Sequence, residues 1–292
     1  MAQIIQAVFG YLGQGLALTV QQLLILLGPG LLLALLMHGF ALLVQTRAAT
    51  DFGHNFYIAL TAPGTVVHEL GHALFCLVFG HRITDMQLFK PDRNGTLGYV
   101  SHTYNPRSIY QTIGNFFIGT GPIWFGTAVI FVLARLMLPP AVFAPMQGMH
   151  LSYADFTSWA GLGAVCREVG SSAWGVLRSL FSSACLGEWT FYLFAYLTFC
   201  IGSHVTLSLP DLKGAALGLA ALAGLLMVFN LLTLWIGDFS LKACQYAAEY
   251  YAVFYAVMLL ALILNVAIAF AVFGIGAVVR QVAQRSGARR RT

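Results

Sequence analysis

Apolar residues fall into long runs separated by short polar connections, a pattern unlike the narrow stripes of surface helices. A hydrocarbon layer about 30 Å thick takes roughly 20 such residues per helical crossing. On that measure the chain reads as an α-helical polytopic membrane protein with about six transmembrane helices. They lie near Leu23 to Val44, Tyr57 to Phe79, Ile109 to Leu138, Trp189 to Leu207, Leu212 to Ile236 and Tyr251 to Val279. The stretch Ile4 to Leu18 is apolar but short and broken by glycine, which suits an interfacial or re-entrant segment. Pro210-Asp211 joins the fourth and fifth spans so closely that a helical hairpin is expected there.

Two regions depart from the pattern. Ile83-Thr84-Asp85-Met86-Gln87-Leu88-Phe89 alternates, and Thr96 to Val100 follows the turn pair Asn94-Gly95. Asn-Gly between alternating runs predicts a β-hairpin, here an insert at 81–108. The segment Pro139 to Glu188 mixes Gly, Ser and scattered charge, and is expected to be an extramembrane loop with one or two short amphipathic helices. The organisation is then a single transmembrane domain over 1–280 with a basic tail at 281–292.

Composition strengthens this reading. Hydrophobic residues make up 59% of the 292 and charged residues 9%, against about 25% charge in ordinary soluble domains. The net charge of +5 does not imply nucleic acid, because five arginines (Arg280, Arg285, Arg289, Arg290, Arg291) sit in the tail beside the last apolar run. Such a cluster suits an anionic lipid surface. Together with Arg82, Lys90, Arg93 and Arg107 in the hairpin region, it predicts both termini and the hairpin on the cytoplasmic face. The loops holding Arg47, Arg167 and Arg178 then face the other side. The start Met1-Ala2-Gln3-Ile4 lacks the features of a cleaved secretory signal, so the first helices are expected to remain. Cys76, Cys166, Cys185, Cys200 and Cys244 form no Cys-x-x-Cys pair and read as small hydrophobes.

The chemistry is concentrated at His68-Glu69-Leu70-Gly71-His72 in the second span. Residues four apart share a helix face, so His68 and His72 can both offer imidazole nitrogens to one zinc ion while Glu69 stands beside them as general base. Ionisable side chains cost about 2.5–3.5 kcal/mol at a bilayer centre, so three within one turn call for a compensating ion. A third protein ligand is needed. Asp211, at the start of the fifth span, is the leading candidate and would otherwise be a helix cap; His204 is the alternative ligand or a partner to one. His38, His102, Asp238 and Glu249 read as structural or solvated groups. A non-catalytic metal-binding or transport protein is the competing class, but transporters spread polar ligands over several broken helices. A prenyl-protein type membrane zincin would need a helix-borne glutamate ligand, and Glu168, Glu188 and Glu249 lie outside suitable apolar runs.

With these residues in view, the chain resembles the site-2 protease family of intramembrane zinc metalloproteases, in its compact bacterial branch. The likeness covers roughly residues 57 to 236: the HELGH helix, the hairpin after it, Gly119-Thr120-Gly121-Pro122, and an aspartate near a later helix start. It implies Zn²⁺ held by His68, His72 and Asp211, with Glu69 as catalytic base. It also implies membrane protein or peptide substrates cleaved in or near the bilayer, held as an added strand on the hairpin, and a bacterial inner membrane as the setting. The family's Asn-x-x-Pro-x-x-x-Leu-Asp-Gly is replaced here by Ser208-Leu209-Pro210-Asp211-Leu212-Lys213-Gly214. The family's substrate-binding asparagine therefore has no counterpart at that place, and Ser203, His204 or Ser208 would have to stand in for it.

Overall fold

The computed structural model describes residues 1–92, 97–147, 159–205, 209–237 and 239–289. In order, the chain forms α1 (Ala2–Phe52), α2 (His54–Val78), β1 (Arg82–Gln87), β2 (Tyr99–Thr103), α3 (Ile109–Gly119), α4 (Gly121–Met137), a 3-10 turn (Pro140–Phe143), α5 (Ala144–Gln147), α6 (Trp159–Leu180), α7 (Ser183–Leu186), α8 (Trp189–Gly202), α9 (Leu209–Thr233) and α10 (Phe239–Arg289). Among the described residues the sheet is the antiparallel pair β1–β2, with a bulge between Ile83 and Asp85. The expected turn at Asn94-Gly95 lies outside the described residues.

The glycine-broken N-terminal stretch does not interrupt its helix. Each glycine costs only about 1 kcal/mol relative to Ala in a helix interior, whereas unpaired backbone groups in apolar surroundings cost several. Hence α1 runs unbroken for 51 residues through Pro29. At 1.5 Å per residue that is about 75 Å, far beyond one bilayer core.

Among the described residues three helices are long and apolar enough to cross a membrane: Ala2–Phe52, Pro210–Thr233 and Val253–Val278. A fourth is gained if α3 and α4, bent by 59° at Thr120, count as one span. The expected six are not reached on this measure. α8 has 14 residues, about 21 Å of helix, and α2 carries a proline, two histidines and a glutamate in its interior.

The direction of the helices also differs from expectation. Gln22 donates to the Ser240 carbonyl, Tyr255 donates to that of Leu26, and Arg280 pairs with Asp51. Rising numbers on α1 meet rising numbers on α10, so the two run parallel. If both cross the bilayer, their N-terminal ends share one face, an arrangement that does not fit both chain termini lying on one side. α2 folds back along α1 from Gly53, so the hairpin region with Arg82, Lys90 and Arg107 points away from the end where Arg280 sits.

Nor do α8 and α9 form a hairpin. α8 runs parallel to α2, since Tyr196 and Cys200 bond Leu60 while the His204 carbonyl meets His68. α9 runs antiparallel to α3, its Asp211 beside Gly119 and its Gly218 beside Phe116 and Thr112. Because α3 itself opposes α2, α8 and α9 continue in one direction, end to end. Within the expected loop at 139–188, the described residues are largely helical. α6 has 22 residues, and its Val176 and Leu180 join Ile130 of α4, Phe194 of α8 and Met258 of α10 in the main core. Cys76, Cys185 and Cys200 are buried and Cys166 is exposed, all four as free thiols.

Candidate metal centre

The centre sits where three chain features meet: the middle of α2, the break between α3 and α4, and the handover from α8 to α9. Close backbone approach makes this possible. A Cβ on Gly121 would lie 2.7 Å from the Gly71 carbonyl oxygen, and one on Gly119 would lie 2.6 Å from that of Asp211. Any larger residue at either position would force the elements apart, because backbone cannot swing aside as a flexible side chain can.

Pro122 then decides what His72 can reach. In an unbroken helix the amide of residue 122 would bond the Ile118 carbonyl, but proline has no N–H. That carbonyl instead accepts from Nδ1–H of His72 at 2.7 Å. The His204 carbonyl, just past the end of α8, accepts from Nδ1–H of His68 at 2.6 Å. A carbonyl can only accept, so both rings carry their hydrogen on Nδ1 and turn Nε2 inward. This is how metal-ligating histidines are commonly fixed.

The two Nε2 atoms face each other at 3.2 Å, and His72 Nε2 lies 3.5 Å from Asp211 Oδ1. Two neutral rings in these tautomers would point lone pairs at one another, which only a cation or an added proton relieves. Ligands about 2.0–2.1 Å from a tetrahedral zinc are roughly 3.3 Å apart, so the observed spacing fits that ion. Among the described residues His68, His72 and Asp211 form a group that can hold a metal, their ligand atoms all within 4.8 Å of one another. Asp211 lies inside the first turn of α9, so its carboxylate also sits by the positive end of that helix. His204 contributes its carbonyl, while its ring Nδ1 meets the Cys200 carbonyl at 3.0 Å and stays out of the group.

A cavity of about 510 Å³ opens onto these three residues and is also lined by Glu69, Asn115, Tyr99 and His102. Glu69 is 7% exposed, and Gly98 passes so near that a Cβ there would sit 2.8 Å from Glu69 Cγ. The strand β2 thus forms one wall of the site. It is braced by the Tyr99 hydroxyl, which donates to Asp85 at 2.5 Å; that bond raises the tyrosine pKa.

His102, expected to be structural, lines the cavity. Nε2–H of His81 donates to the Gln111 carbonyl, so the bare Nδ1 of His81 accepts from Nδ1–H of His102 at 3.1 Å. Burial chiefly, and then the neighbouring His81 and His72, hold the His102 pKa below its usual value. Asn115 also lines the cavity and was not among the residues singled out from the sequence; its signal was an amide in the middle of the apolar run from Ile109 to Leu138, where a polar group is costly. His38 lies apart from this group, in α1, with Nδ1 buried. Ser208 and Asp238 lie outside the described residues.

No protein-family model, no curated protein and no solved structure matches the chain. The functional argument therefore rests on the site itself.

Proposed function

We propose that the chain is a membrane-embedded zinc endopeptidase that hydrolyses peptide bonds of membrane-associated proteins or peptides. The observation that carries this reading is the convergence of two oriented Nε2 atoms and the Asp211 carboxylate on one cavity, with the Glu69 carboxyl in the same wall. A transport or storage site would need the ligands but has no use for Glu69.

When bound, zinc supplies a Lewis acid that brings the pKa of water toward 7. His68, His72 and Asp211 hold it, and the carbonyls of His204 and Ile118 keep the two rings from turning. Glu69 accepts a proton from the attacking water and delivers it to the departing amine nitrogen as the C–N bond breaks. Among the described residues no third strand pairs with β1 or β2, and an unwound substrate segment laid along the pair would present its backbone to the site. The apolar helices argue for a bilayer setting, and α1 and α10 crossing in the same direction predict that single cysteines at positions 3 and 285 label from opposite faces of sealed vesicles. Labelling of both from one face would contradict that arrangement.

Glu69→Gln tests the chemistry because it keeps size and polarity but cannot take the proton. Fragments of membrane proteins are expected in cells carrying the wild-type chain and absent with the variant, which should retain its zinc. Identical fragment sets from the two would end the peptidase reading.

A further inference from the structure

Asn115, in the second half of α3 where its neighbours Phe116, Phe117 and Ile118 are apolar, lines the cavity shared by His68, Glu69, His72 and Asp211. It is 7% exposed, and its buried Nδ2 has no hydrogen-bond partner among the described residues. Such a donor bears its desolvation cost with nothing in return, and unlike the unpaired Asn230 Oδ1 it belongs to a residue that lines the candidate metal cavity. Among the described residues the other candidate donors are spent. Ser203 Oγ donates to the Cys200 carbonyl at 2.9 Å, the His204 ring also lies on that carbonyl, and Nδ1–H of His102 is taken by His81.

We infer that Asn115 is a catalytic residue of the proposed peptidase, its Nδ2–H donating to the scissile carbonyl oxygen as that oxygen becomes anionic. The inference rests on the peptidase reading. As water adds to the carbonyl carbon, the C=O π pair moves onto oxygen, and its growing charge strengthens the hydrogen bond beyond its ground-state value. When the pair returns, the C–N bond breaks and Glu69 passes its proton to the nitrogen. A neutral amide is a donor at every working pH and needs no reorganisation, which is what preferential binding of the transition state requires.

The test uses the zinc-loaded full chain in detergent micelles, with a quenched-fluorescent peptide of transmembrane length and its phosphinic analogue, a tetrahedral anion that cannot be cleaved. Asn115→Leu keeps the size and removes the donor. It should lower kcat about 10²–10³-fold with KM nearly unchanged. It should weaken the phosphinic peptide by a similar factor, and leave zinc content and binding of the planar peptide (measured in the Glu69→Gln background) as they were. The thermal midpoint should hold or rise, since an unpaired polar group has been removed. Retained kcat, or equal weakening of planar and tetrahedral ligands, overturns the role of Asn115 while leaving the peptidase intact. Absence of cleavage by the wild-type chain, or cleavage by Glu69→Gln, removes the peptidase reading and the inference with it.

Discussion

Two polar clusters lie buried between apolar helices of this molecule, and they differ in where their hydrogen bonds lead. Between α1 and α9, the Asn230 amide donates to Thr19 Oγ1 and Gln22 Oε1, both at 2.9 Å, and Gln22 donates onward to the Ser240 carbonyl. That cluster spends its donors on itself and ties three helices together. At the metal centre the opposite holds: the bonds on His68 and His72 run outward to backbone carbonyls, leaving unshared pairs aimed inward beside Asp211. Burial and polarity are common to both. Only the direction of the lone pairs separates a structural clamp from a site that calls for an ion.

The comparison breaks most sharply under paired substitution. His72→Ala should abolish stoichiometric zinc binding, seen as a fall from about one zinc per chain to near zero by elemental analysis, while Asn230→Leu should leave zinc untouched. A smaller effect is expected from Pro122→Ala, which restores an amide that competes with His72 for the Ile118 carbonyl. Loss of such an orienting partner typically costs about 10–100-fold in metal affinity, measurable by competition with a chelator. The smallest effect belongs to the clamp itself. Asn230→Leu should lower stability by about 1 kcal/mol, in keeping with interhelical hydrogen bonds in membranes, and a thermal or denaturant shift would register it.

The legible and illegible parts of the sequence divide along similar lines. His68, Glu69 and His72 could be read because helical spacing alone puts them on one face, and Asp211 because a carboxylate at an apolar helix start demands a reason. The β-hairpin was signalled by its alternation. What could not be read depended on contacts between distant segments. Spacing gives no sign that Pro122 frees a carbonyl for His72, that His204 serves through its backbone and not its ring, or that His102 and Asn115 share the cavity. The expected hairpin at Pro210 failed for a related reason. A tight connection permits either a reversal or a continuation, and close packing of Gly119 and Gly218 draws α9 along α3 instead of back along α8. Charge counting carried no information on relative placement either: Arg82 and Arg107 lie at the far end of α2 from Gly53, whereas Arg280 pairs with Asp51 at the end of α1.

The most direct test of the central claim is X-ray absorption at the zinc edge on the full chain purified without chelator. The account predicts about one zinc per chain, with two imidazole nitrogens near 2.0–2.1 Å and oxygen ligands near 2.0–2.2 Å, one of them supplied by Asp211 and lost in Asp211→Asn. A folded chain that holds no zinc, or one whose zinc shell is unchanged in Asp211→Asn, would contradict it.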